Sequence, residues 1–213
     1  METENINSCL MLAVKLDTPV SLGCVFDSED LKDSGVIIDS HITLLYAQGK
    51  QIPREGMLDD VKTILGERAV DFMNKLREDR DYNILDHFYL DSFENDSDYI
   101  VLKPSTDLIL KDLTLINKGL RLKYDVTSEF DYSPHITLAE LKPGTAKKYL
   151  GSEQLNLILK NTFFDFEDLL LSYGKTREVE DRKQYYLTTF NSIPRYFRIF
   201  NEKKELEELY KAK

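Results

Sequence analysis

The sequence predicts an α+β or mixed α/β fold, and three observations support that. Short apolar runs of strand length interleave with segments whose apolar residues recur every three or four positions. Turn signals separate these runs, and no linker-like stretch divides the 213 residues into independent units. One tetrapeptide also occurs twice, as His41-Ile42-Thr43-Leu44 and His135-Ile136-Thr137-Leu138, once in each half of the chain.

The elements follow in order. Leu10 to Leu16 is a short apolar run suited to a buried strand, and Val36 to Tyr46 reads as a second, with Val36, Ile37 and Ile38 leading into His41. Pro53 and Gly56 mark a turn. Val61, Ile64 and Leu65, then Val70, Met73 and Leu76, predict helix to about Arg80 with a break near Gly66. Ile84 to Phe93 and Tyr99 to Leu102 read as extended, and the polar stretch from Asp91 to Asp98 as the loop between strand-like runs. Ser105-Thr106-Asp107 offers an N-cap for a helix carrying Ile109, Leu113, Ile116 and Leu120, which Gly119 would help to end. Asp131 to Leu141 is a strand around the second motif. Lys142 to Thr145 is then turn and cap for a short helix through Tyr149. Phe163–Tyr173 and Tyr185–Phe190 complete the extended segments, giving one domain over residues 1–190. Residues 191–213 read as a C-terminal extension, with an exposed helix from Asn201 packing Leu206 and Leu209.

Composition bounds the function. With 42% hydrophobic and 11% aromatic residues the chain can fill a core, and its longest apolar runs fall far short of the roughly 18–20 residues of a membrane span. The N-terminus lacks a basic start and apolar stretch, and Cys9 and Cys24 are too few for a disulfide framework, so a cytoplasmic protein is expected. The net charge of −10 argues against a long nucleic-acid backbone or an anionic membrane surface as partner. A small nucleotide, whose few phosphates need only a few donors, stays compatible.

The repeated tetrapeptide carries the chemistry. Thr makes up roughly 6% of the chain, so Thr two places after two of only three histidines has a chance of about 1% from composition alone, before Ile and Leu are matched as well. On a strand, His41 and Thr43 share one face while Ile42 and Leu44 pack on the other, and the same holds for His135 and Thr137 over Ile136 and Leu138. If the halves are related by a pseudo-two-fold, two imidazoles and two hydroxyls meet in one cleft. That set suits phosphodiester cleavage without metal or cofactor: a neutral His takes a proton from the attacking oxygen and a protonated His gives one to the leaving oxygen. The Thr hydroxyls hold the non-bridging oxygens. A metal site would lean on carboxylates, because only His87 remains as a further imidazole. Taken singly, a His on a strand is more often a hydrogen-bonded structural residue than a catalyst; the duplication is what favours chemistry.

These motifs resemble those of the two-histidine (2H, LigT-like) phosphoesterase superfamily. The likeness runs from Leu10–Leu16 through Ser105–Leu120 and Ser133–Ala139 to Tyr185–Phe190. It implies a bilobal α+β fold, with two antiparallel sheets around a central groove and helices outside. It also implies His41 and His135 as the acid/base pair, with Thr43 and Thr137 holding the phosphate. Members act on 2′,3′-cyclic phosphates, on 2′–5′ or 3′–5′ linked oligonucleotides and on cyclic-nucleotide immune signals. The acidic charge favours a small nucleotide and, among these, the phage anti-CBASS type, with the host cytoplasm as its compartment. An RNA-processing 2′,3′-cyclic phosphodiesterase and a non-catalytic nucleotide-sequestering protein are the alternatives. Tyr46 and Tyr132 flank the motifs as candidates to stack a base, and Tyr173 as a residue of the groove. Where many members carry Arg or Lys just after the second motif this chain has Glu140, so Lys142 is the candidate to supply that charge.

Overall fold

A computed structural model describes residues 6–37, 39–77, 82–105, 109–128, 131–175 and 183–190. The Thr106–Asp107 part of the expected N-cap and the whole C-terminal extension lie outside them. The strands are β1 (Asn7–Asp17), β2 (Leu31–Val36), β3 (His41–Ala47), β4 (Tyr82–Asn83), β5 (Phe88–Glu94), β6 (Asp98–Pro104), β7 (Ile136–Leu141), β8 (Phe163–Gly174) and β9 (Lys183–Thr189). The helices are α1 (Met57–Leu65), α2 (Ala69–Arg77), α3 (Ile84–His87), α4 (Leu110–Lys123), α5 (Ala146–Leu150) and α6 (Glu153–Lys160). The fold is α+β, and every strand pairing is antiparallel.

The strands run in the order β4-β8-β1-β3-β7-β6-β5, with β2 added to β7 and β9 to β8. The two antiparallel halves meet at one residue pair, Ile42 of β3 against Ile136 of β7. They are therefore lobes of a continuous sheet, and the middle residues of the two His-x-Thr motifs form the junction. Ile42, Leu44, Ile136 and Leu138 are fully buried in the main core with the apolar faces of α1, α2, α4 and α6. Burying such side chains stabilises by about 1.5–3 kcal/mol each, which pins the motif strands from behind.

Several elements differ from the sequence expectation. Val36 to Tyr46 is two strands, because between them the chain leaves the ladder: the Ile37 amide donates to the Leu138 carbonyl (2.9 Å) and the Val14 amide to the Ser40 carbonyl (2.9 Å). Ile84 to His87 forms a helical turn, capped by the Asn83 side chain accepting from the Leu85 amide, so the strand starts only at Phe88. Helix α6 was not expected, although Ser152 caps it and Leu155, Ile158 and Leu159 carry its buried face. Gly119 does not end α4, which continues to Lys123. A Cβ at Gly119 would lie 2.7 Å from the Ile64 side chain, so this glycine lets α1 and α4 approach closely.

Candidate active site

The junction pair places both motifs on one surface. Continuing the antiparallel register from Ile42–Ile136 by one residue each way sets His41 across from Thr137 and Thr43 across from His135. The two imidazoles are then diagonal neighbours, a relation that spans about 7–8 Å and leaves room for a phosphate between them. All four side chains are half-buried, whereas the alternating residues are fully buried on the core side.

Both rings are held the same way. His41 Nδ1 lies 2.9 Å from the Asp39 carbonyl oxygen, and His135 Nδ1 lies 2.8 Å from that of Ser133. A carbonyl only accepts, so in each ring Nδ1 carries the proton and Nε2 is the lone-pair nitrogen of the neutral form. Two residues before each His thus fix its tautomer, and each Nε2 can take or give a proton.

A β-bulge follows each Thr. In β3, Thr43 and Leu45 pair with the adjacent residues Met11 and Leu10, so Leu44 is the extra residue. In β7, Thr137 and Ala139 pair with the adjacent Val101 and Ile100, so Leu138 is the extra residue. Each bulge carbonyl has its own donor: Asn117 of α4 donates to Leu44 at 2.7 Å, and the Ile37 amide to Leu138 at 2.9 Å. The bulges reverse the alternation beyond them. Strict period two would send Tyr46 to the face opposite Thr43, yet it pairs with Cys9 on the Thr43 face, against a small apolar cluster of Cys9, Met11, Ala13 and Leu170. The corresponding position of the second half is Glu140, brought to the Thr137 face opposite Tyr99.

The halves differ in what surrounds each histidine. Ala13 of β1 pairs with His41. The matching position beside His135 belongs to Lys103, one residue beyond the Val101–Thr137 and Leu102–Ile136 pairs. Lys103 bonds Asp91 at 2.7 Å with its side chain only 18% exposed, and its Nζ sits 4.4 Å from the centroid of the Phe93 ring. That ring packs edge-to-face on His135, with centroids 4.8 Å apart. Burial lowers the pKa of His135; the Ser133 carbonyl opposes this, and the positive fields of His41 and Lys103 add to it. Lys103, Asp91 and Phe93 were not picked out from the sequence. The signal was the alternation of β5 and β6, but the register that aligns it with His135 arises only on folding.

The remaining candidates are placed as follows. The Tyr132 hydroxyl donates to the Thr43 carbonyl at 3.1 Å, bracing the first motif from the second half, and burial pushes its phenol up. Lys142 is exposed and its Nζ donates to the Glu29 carbonyl. Burial raises the Glu140 carboxyl, but bonds from Ser34, Ser97 and Tyr99 outweigh that and hold it below its ordinary value. Tyr173 pairs with Ser8, whereas Ser172 is the residue opposite Cys9, so Tyr173 faces away from the histidines. It lines a separate open cavity of about 400 Å3 with Arg54 and Tyr185, and its hydroxyl donates to the Ile52 carbonyl at 2.5 Å. His87 packs against Tyr82, with centroids 4.9 Å apart, and burial lowers its pKa.

No family model and no curated protein sequence matches the chain. Among solved structures it is similar to Kluyveromyces marxianus Usb1, at 13% identity and a TM-score of 0.41 over 86% of this chain and 99% of that one. E. coli LigT complexed with 3′-AMP overlaps at 10% identity and a TM-score of 0.41, over 86% and 97% of the two chains. A further structure, described as a phosphoesterase, overlaps at 12% identity and a TM-score of 0.42, over 85% and 96%.

Proposed function

We propose that the chain is a two-histidine phosphodiesterase that cleaves a phosphodiester of a small nucleotide by acid/base catalysis. The observation that carries this reading is the register across Ile42 and Ile136, which turns two identical tetrapeptides into a cross-strand set of two imidazoles and two hydroxyls. The matching Nδ1 bonds leave both Nε2 atoms able to exchange protons. Thr43 and Thr137 orient the phosphate between the rings by donating to its non-bridging oxygens. In a 3′–5′ linked substrate the ribose 2′-hydroxyl is the nucleophile and a 2′,3′-cyclic phosphate forms; in a 2′,3′-cyclic substrate water attacks.

The substrate we favour is a cyclic nucleotide or short cyclic oligonucleotide, the kind of signal a viral counter-defence enzyme removes. Support comes from the net charge of −10 and from the apolar floor beside Tyr46, which suits a base. The test is a cleavage panel in excess EDTA, covering 2′,3′-cyclic mononucleotides, 2′–5′ oligoadenylate and cyclic di- and trinucleotides. EDTA-resistant turnover that falls by at least about 100-fold in both His41→Ala and His135→Ala supports the reading. Tight binding without turnover replaces it with a sequestering protein.

A further inference from the structure

The pseudo-two-fold that relates the histidines is broken by charge, and the break assigns them different work. Resting on the phosphodiesterase reading above, we propose that Lys103 is a positioning residue that sets the direction of proton transfer, making His135 the general base and His41 the general acid. Lys103 stands across from His135 on the neighbouring strand, largely withdrawn from water and fixed between the Asp91 carboxylate and the Phe93 ring. An ammonium in that position disfavours a second positive charge on the imidazole, and the packed Phe93 ring removes water that would solvate it. Asp91 offsets part of this field, but it bonds Lys103 from β5, one strand further out than Lys103 itself.

The groups around His41 have the opposite balance. Its neighbour on β1 is Ala13, and beyond Ala13 the register of β8 slips between the Leu12–Leu169 and Val14–Phe166 pairs, so that Glu167 and Asp168 share a bulge there. Oδ1 of Asp168 is buried with no hydrogen-bond partner among the described residues. At about 4.8 Å per strand these carboxylates lie roughly 10 Å from His41. Asp39 adds a further carboxylate two residues before the ring. The charged groups facing His135 are Lys103, Asp91 and His41; those on the His41 side are Asp39, Lys15 and Asp165, which pair with each other across β1 and β8 on the Ala13 face, Glu167, Asp168 and His135. Lys103 beside it makes His135 the ring that takes a proton from the nucleophile on this proposal, which leaves His41 the acid role.

The step then balances. His135 Nε2 takes the proton of the attacking hydroxyl as its oxygen bonds phosphorus. The bond from phosphorus to the leaving oxygen breaks with its electron pair, and that oxygen takes the Nε2 proton of His41. Exchange with water returns a proton to His41 and removes one from His135.

Two measurements on the full chain test this. NMR titration of the ring Cε1–H signals, assigned with His→Gln variants, should give His135 a lower pKa than His41. Lys103→Met should raise the His135 value while Lys103→Arg leaves it in place. An His135 pKa at or above that of His41, or one unmoved in Lys103→Met, overturns the assignment whatever the substrate is. Cleavage of uridine 3′-(4-nitrophenyl phosphate), whose leaving group needs no acid, should survive in His41→Ala within about tenfold and fall at least about 100-fold in His135→Ala. The reverse pattern overturns the roles alone. Equal turnover by both variants and the parent overturns the phosphodiesterase reading itself.

Discussion

Tyr46 reaches the histidine face only because one residue is inserted before it. Its ring meets Cys9, Met11, Ala13 and Leu170, an apolar patch separate from the main core. On the proposed reading, a patch of this kind beside the two His-x-Thr motifs is where a nucleobase would lie, since stacking on an aromatic side chain contributes about 1–3 kcal/mol per base. Tyr46→Ala is therefore expected to raise KM for a nucleotide substrate by roughly 5- to 100-fold, with kcat changed much less, while Tyr46→Phe keeps the parent KM. Steady-state kinetics on any substrate found in the cleavage panel decides it. A fall in kcat with unchanged KM would give Tyr46 a structural part instead. Tyr132 has a different position: its hydroxyl is bonded to the Thr43 carbonyl, which ties the second half of the site to the first.

Among the elements, the bulges set the two strands of the candidate site apart from ordinary strands. The carbonyl of Leu44 is taken by Asn117, a residue 5% exposed in the middle of α4. Asn117→Leu leaves that carbonyl unpaired in the core, and is expected to cost about 1–3 kcal/mol in urea unfolding. It also removes what holds the bulge, so KM should rise as it does in Tyr46→Ala. Stability lost with KM unchanged would show that the ladder alone keeps the bulge in place. This device explains which parts of the site were legible in the sequence. The faces of His41, Thr43, His135 and Thr137 follow from period two, because Ile and Leu at the alternating positions leave one direction for the polar side chains. The placement of Tyr46 does not follow, because Leu44 and Leu45 are both apolar and either could be the residue that points inward. Likewise β2 carries Lys32, Asp33, Ser34 and Gly35 with no alternation, since it touches β7 only through an irregular pairing at Leu31 and Val36. The long segments α1, α2, α4, β1 and β8 show their apolar spacing in the sequence because each buries a continuous face.

On the phosphodiesterase reading, the charge of the whole molecule bears on the size of its substrate. The net charge is −10, and among the described residues several cations are already paired: Lys148 is held by Asp27 and Asp30, Arg68 by Asp112, and Lys123 by Asp60. Lys142 turns to a backbone carbonyl at the far end of β7. Lys103, the cation beside His135, is itself paired with Asp91. A ligand recognised by one or two phosphates releases few counterions on binding, so log K for a cyclic dinucleotide should fall against log salt with a slope of about −0.7 to −1.4. An RNA tract neutralised at six or more phosphates would give about −4 or steeper, at roughly −0.7 per contact on a single strand. Titrating His135→Ala, which on the proposed mechanism binds without turning over, with a cyclic dinucleotide and with a 20-nucleotide RNA bearing a 2′,3′-cyclic end separates the two. If the RNA binds more tightly at 150 mM salt and shows the steep slope, the acidic surface conceals a local basic track and RNA ends become the substrate. If the dinucleotide binds more tightly with the shallow slope, the net charge acts as a filter: it repels long polyanions through the repulsion of the whole surface and admits a ligand small enough to be neutralised within the cleft.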